Sequence, residues 1–299
     1  MTLQKPITKK RGSKLGFWFF RTFLRFFGLP GAYALLYPVC LYYLIFDWAA
    51  VSMNSAYLKR RFKNHNVFQR MWYVFNLFIN QGKNLIDRYC AASEHVEFSF
   101  ELNGFDKIKN ILGLSQKGFI LLTAHIGNWQ VAMLKLSKLD KTVHLLMRPE
   151  DNIAVKEELS IQSESSKIKI ISPAEFLGGV IEITKAINQG DIVSIMGDRN
   201  YEHNLAEVSL FGEKAFLPLG AFSIAAAIQC PVAILLSTRV SPKKYILDIS
   251  NVIEPHYKSK GRKHEELTGY IQEFAQILEN YAEKYPFQWF VFQDLWSKQ

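Results

Sequence analysis

Three cysteines in 299 residues are too few, and odd in number, for a disulfide framework. Cys40, Cys90 and Cys230 lie far apart among apolar neighbours and read as buried thiols in a reducing compartment. No Cys/His spacing of a zinc site occurs, and nothing calls for a metal or an organic cofactor. Acidic residues are missing from the first 46 positions, where Lys5, Lys9, Lys10, Arg11, Lys14, Arg21 and Arg25 stand. Internal repeats and low-complexity tracts are also missing. The formal charge of +9 comes without any RNA-binding aromatic signature. It therefore suits a membrane phosphate surface or an acidic protein better than nucleic acid.

What is present is apolar and aromatic: 49% hydrophobic and 14% aromatic residues, rich but short of a polytopic membrane protein. Phe17-Trp18-Phe19-Phe20, Phe23-Leu24 and Phe26-Phe27 alternate with the early basic residues at helical spacing. That describes an interfacial amphipathic helix on anionic lipid. A secretory leader is the competing reading, opposed by bulky residues and the lack of a small-residue cleavage site. Leu29 to Val51 is nearly uncharged and close to the ~20 apolar residues a span needs. Pro30, Pro38 and four tyrosines interrupt it, so the residues leave crossing and lying in one leaflet both open. The chain divides into a basic, aromatic membrane anchor over 1–52 and one α/β domain over 53–299. Asn54–Ala92 reads as two helices whose apolar set, including Phe68, Met71, Trp72 and Phe75, packs on the core.

From residue 96 onward, short apolar runs alternate with helical patterns. This predicts a mostly parallel central sheet flanked by helices on both faces. In Phe119–Gln130 (FILLTAHIGNWQ), a strand runs into a turn at Gly127-Asn128 and then into a helix. His125 falls at the strand's carboxyl end, where open α/β sheets keep their ligand crevice. An imidazole there is a candidate general base, and Gln130, one turn into the helix, can fold back as its orienting acceptor. A capped strand end explains one such histidine equally well. Arg148 ends the next strand, where its guanidinium suits a phosphate or a carboxylate, or pairs with Glu150 or Asp151. Asp198 and Arg199 follow the buried strand Ile192–Met196: Asp198 is the leading carboxylate to support His125, Arg199 a phosphate holder, with a plain Asp–Arg pair as the alternative. Val208–Phe216 forms an aromatic-Gly turn at Phe211-Gly212, and Pro218 and Gly220 enter the small-residue helix Ala221–Ile228.

His125-Ile126-Gly127-Asn128-Trp129-Gln130 resembles the H-x4-D/E block of bacterial lipid A late (lauroyl/myristoyl) acyltransferases, in the lysophospholipid acyltransferase superfamily. Phe211-Gly212 through Pro218 and Gly220 to Pro231-Val232 resembles a second block, and Pro286 to Trp289 the closing segment. The resemblance covers roughly the whole chain. It implies a glycerolipid acyltransferase-like fold at the cytoplasmic face of the bacterial inner membrane. It implies a fatty acyl thioester donor, on acyl-carrier protein or CoA, and a hydroxyl of a lipid A precursor or related glycolipid as acceptor. By the same resemblance His125 is the base, Gln130 stands at the acid's position, and the block holding Asp198 and Arg199 lines the acceptor site. The catalytic candidates are His125, Gln130 and Asp198, and the substrate-binding candidates Asn128, Arg148, Arg199, Phe211, Gly212, Pro218 and Gly220. Gln130 departs from the family's acid. An amide accepts a hydrogen bond but cannot balance an imidazolium, so a homologue that binds lipid or carrier protein without turnover is the alternative.

Overall fold

The computed structural model describes residues 14–93, 95–114, 116–136, 141–147, 167–173, 179–199 and 204–297. Three helices come first: α1 (Lys14–Phe46), α2 (Trp48–Arg61) and α3 (Val67–Ala92). Then follow β1 (Ser99–Asn103), α4 (Phe105–Leu114), β2 (Phe119–Gly127), α5 (Trp129–Leu136), β3 (Val143–Leu146) and β4 (Ile168–Ile171). The second half contains α6 (Val180–Asn188), β5 (Ile192–Met196), the hairpin β6 (Leu205–Leu210) and β7 (Glu213–Pro218), and α7 (Gly220–Ile228). It closes with β8 (Val232–Ser241), β9 (Lys244–Ile253) and α8 (Lys263–Lys284). The helix expected over 152–163 and the Ser-Pro-Ala-Glu helix start at 172–175 fall wholly or partly outside the described residues.

The main sheet runs β1-β9-β8-β2-β5-β3-β4. β8, β2, β5, β3 and β4 are parallel to one another; β9 is antiparallel to β8 and carries β1 parallel to itself. Side-chain alternation along these strands builds two cores. Ile120, Leu122, Val193, Ile195, Ile234 and Leu236 face one layer, with Phe222 of α7 and Phe274 of α8. Phe119, Leu121, Ile192, Ala233 and Leu235 face the other, with Val131 and Met133 of α5 and Ile86 of α3. β2, buried on both faces, is therefore a near-continuous apolar run, as a central parallel strand must be.

The connections leaving β2 and β5 depart to opposite faces, through α5 and α7. In open α/β sheets such a divergence, at the carboxyl ends of neighbouring strands, is the place where ligands bind.

α1 is a single apolar stretch broken at Gly28 (φ 62°, ψ −163°), just ahead of Pro30. Trp18–Phe46 has the length and hydropathy to cross a membrane. Its stripe Leu29, Ala32, Tyr33, Cys40 and Leu44 is nevertheless buried against the protein. Gly82 of α3 permits the approach, since a Cβ there would lie 2.6 Å from a Leu36 methyl. Buried Asp87 of α3 accepts hydrogen bonds from Tyr33 of α1 and Tyr245 of β9, and Arg239 of β8 lies 3.6 Å from its carboxylate. A mispaired charge at that depth would be costly, so the network fixes how α1 and α3 sit on the sheet. Asn66 and Gln69 start α3 with reciprocal 2.9 Å capping bonds. The expectation that Phe68 and Trp72 pack on the core is corrected: they stand 87% and 59% exposed beside exposed Val67. Tyr37, Tyr42, Ile45 and Phe46 of α1 and Trp48 of α2 are exposed as well.

Candidate active site

Strand register builds the site. In the β2–β5 pairing Thr123 stands opposite Met196. Continuing two residues along each strand sets His125 opposite Asp198. Their side chains meet there, with His125 Nδ1 2.8 Å from Asp198 Oδ1. The second oxygen, Oδ2, accepts from the His125 backbone N–H at 2.8 Å and from the Trp289 indole N–H at 2.9 Å. Asp198 is fully buried, whereas the His125 side chain keeps 18% exposure.

Burial pushes the Asp198 carboxyl up. The His125 charge, the hydrogen bonds from His125 and Trp289, and the Arg199 charge outweigh it and hold the group below the usual carboxylate range. An ionised Asp198 can only accept, so Nδ1 must carry the proton. Nε2 is then the nitrogen with a free lone pair. This is the arrangement of an oriented base, and it uses residues 73 apart in the chain.

The turn after β2 is fixed from three sides. Gly127 has φ 59°, and a Cβ on it would lie 1.4 Å from the Ser237 carbonyl oxygen, so only glycine fits. Asn84 of α3 donates to the Gly127 carbonyl at 2.6 Å, and Asn128 donates to the Asn84 carbonyl at 3.0 Å. Asn128 also stands at the start of α5, its side-chain oxygen 3.4 Å from Val131 N. From below, the C-terminal segment adds a short antiparallel bridge, Ile126 with Trp289. Gly127 N–H donates to Gln288 O at 2.7 Å, and Phe290 N–H to His125 O at 2.9 Å.

The residues singled out in the sequence are placed as follows. His125, Asp198 and Arg199 share one rim. The acceptor at His125 Nδ1 is Asp198 rather than Gln130, which is buried in the first turn of α5. Among the described residues no hydrogen bond joins Gln130 to His125. Arg148 lies outside the described residues. Phe211 and Gly212 form the β6–β7 turn, both at positive φ (55° and 76°). Phe211 is buried against Tyr57 and Trp289, with ring centroids 5.9 and 6.4 Å away. Pro218 ends β7 and Gly220 begins α7, both half-buried. His144 pairs with Asp191 at 3.0 Å, near the opposite, amino end of β5. Trp289, which the sequence showed only as the end of the closing segment, is the site residue not foreseen there. An indole donor in a closing Pro-x-x-Trp segment was the available signal, but nothing local said what it would meet. No group of His, Cys, Asp and Glu among the described residues could hold a metal ion.

A family model described as "Bacterial lipid A biosynthesis acyltransferase" matches residues 65–298. No curated protein matches the chain.

Proposed function

The chain belongs to the bacterial lipid A biosynthesis acyltransferase family, whose members transfer acyl groups to lipid A-type acceptors, and from that premise we propose the chemistry of its site. His125 is the general base. Nε2 takes the proton from an acceptor hydroxyl as its oxygen attacks the carbonyl carbon of a fatty acyl thioester on acyl-carrier protein or CoA. The tetrahedral intermediate collapses with loss of the C–S bond, and the imidazolium returns its proton to the thiolate leaving group. Asp198 holds the tautomer and balances the charge on the ring while it is protonated. The observation that carries this is the 2.8 Å contact between Asp198 and His125 Nδ1 beneath a ring still open to the rim.

Gln130 was the ground for a binding protein without turnover. A carboxylate at Nδ1 from another strand removes the need for an acid at position 130 and favours a working catalyst. Arg199, beside Asp198, and Arg148 are the cations for donor or acceptor phosphate. Asn128, Phe211, Gly212, Pro218 and Gly220 are assigned to shaping the substrate groove.

The apolar N-terminal helix and the family both point to membrane association. We assign the body to the cytoplasmic face of the inner membrane, where acyl thioesters are supplied and the three buried free thiols stay reduced. The exposed aromatic side of α1, α2 and α3 rests on lipid, bringing the rim to the surface where the acceptor resides.

The test is transfer of radiolabelled acyl groups from acyl-carrier protein, and separately from acyl-CoA, into lipid of membranes containing the protein. Transfer should appear with the native chain and vanish with His125→Ala. Transfer that survives that substitution removes the base from the mechanism.

A further inference from the structure

The C-terminal segment does more at the rim than cover it. Trp289 is fully buried, edge-on to Tyr57 at a centroid distance of 5.1 Å. Tyr57 in turn donates to the Pro286 carbonyl at 2.9 Å. Gln288 clamps the Arg239 backbone through its side-chain oxygen and nitrogen, each at 2.9 Å. These contacts hold residues 286–290 against β2 and β8 and fix where the indole N–H points. Packing alone would require only the bulk of a large ring. Here the one polar atom of that ring is 2.9 Å from Asp198 Oδ2, an oxygen that already has a backbone donor.

We propose that Trp289 is a positioning residue: its N–H fixes the plane of the Asp198 carboxylate, draws charge from it, and so sets how strongly His125 holds a proton. The proposal rests on His125 being the base. Asp198 sits under three donors, two from His125 and one from Trp289. Among the described residues, the charged groups acting on it are His125 and Arg199. Take away the indole donor and the carboxylate carries more uncompensated charge. The state with a neutral ring loses most, because there the anion has least compensation. The imidazolium state loses less. His125 therefore becomes harder to deprotonate, and the acidic limb of the rate profile moves to higher pH.

The cleanest perturbation replaces Trp289 by β-(3-benzothienyl)alanine, which keeps the bicyclic shape and puts sulfur where the N–H was. Trp289→Phe is the second variant. Thermal unfolding of the full-length protein in detergent micelles reports whether each folds. The His125 titration is followed by NMR on protein labelled with ¹³C-histidine, its signal identified by its loss in His125→Gln. With one of three donors gone, the midpoint should rise by about half a unit or more. In the transfer assay kcat should fall roughly ten-fold, with the acidic limb displaced the same way and KM for acyl-carrier protein nearly unchanged. A folded benzothienyl variant whose His125 titrates as in the native protein overturns the proposal, whatever happens to the rate. The titration needs no turnover. Failure of the base assignment, read as activity surviving His125→Ala, is thus a separate result.

Discussion

Asp198→Asn separates the catalytic role of the carboxylate from its structural one. The amide has one accepting oxygen for three donors. His125 N–H and Trp289 N–H converge on the same position, Oδ2, the first part-buried and the second buried. The amide oxygen must go there, because placing the NH2 group there would set it against two donors. The NH2 group is then left facing His125 Nδ1 and forces that nitrogen to accept. The imidazole flips to the tautomer with its proton on Nε2, where a base is needed. The charge that balanced the imidazolium is lost in the same step. An acid-to-amide change behind a catalytic histidine costs roughly 10⁴-fold in kcat in the serine-protease triad. A loss of about 10³–10⁴-fold is expected here, ~4–5.5 kcal/mol of transition-state stabilisation. Stability should fall far less, by about 1–2 kcal/mol, since shape and the two hydrogen bonds at the Oδ2 position survive and the third only reverses direction. The native protein should also show a pH dependence that the variant lacks. Asp198 is held below its unfolded value, so its stabilising contribution is complete above about pH 4 and is lost as pH falls through the lower folded value. Acyl transfer, with thermal unfolding measured across pH, reads all three effects. An Asp198→Asn protein within ten-fold of native turnover would refute the dyad.

Gln130→Glu should bring no gain in turnover, because Nδ1 is already engaged, and should cost about 1–3 kcal/mol of stability by burying a carboxylate; a large rate increase would show the native site to be disabled. Gly127→Ala should destabilise by more than about 3 kcal/mol, through the Ser237 clash and the positive φ together, and a chemical-denaturation midpoint close to native would contradict the turn geometry. Phe68→Glu and Trp72→Glu should each weaken partition onto anionic phospholipid vesicles by about ten-fold or more, from the transfer energy of one large side chain, with unfolding unchanged. Cosedimentation measures it, and unaltered binding would place the lipid-facing surface elsewhere.

Much of the architecture follows from local pattern. Strand periodicity in Phe119–Leu122 and Ile192–Met196, with helices between strands, dictates a mostly parallel sheet. The same pattern puts His125 and Asp198 at strand carboxyl ends, so both are legible as rim residues. Gly127 is legible too as a turn residue, though not the contact that makes it obligatory. Helical spacing correctly grouped Phe68, Trp72 and Phe75 on a helix. It could not say whether a neighbour covers that face, because coverage depends on where α1 and α2 lie.

Three things were decided only by the folded chain. The partner of His125 is one: Gln130 is five residues away and Asp198 seventy-three, but adjacency of β2 and β5, with Thr123 opposite Met196, selects Asp198. The donor under that carboxylate is another, since Trp289 reaches it only after the C-terminal segment has bridged Ile126. The third is the disposition of α1, apolar enough to be read as a membrane span yet covered along one stripe by the rest of the protein. The physical reason is common to all. Side-chain chemistry and local periodicity belong to the sequence, whereas hydrogen-bond partners across strands are chosen by register and packing, which arise only when distant segments share one core.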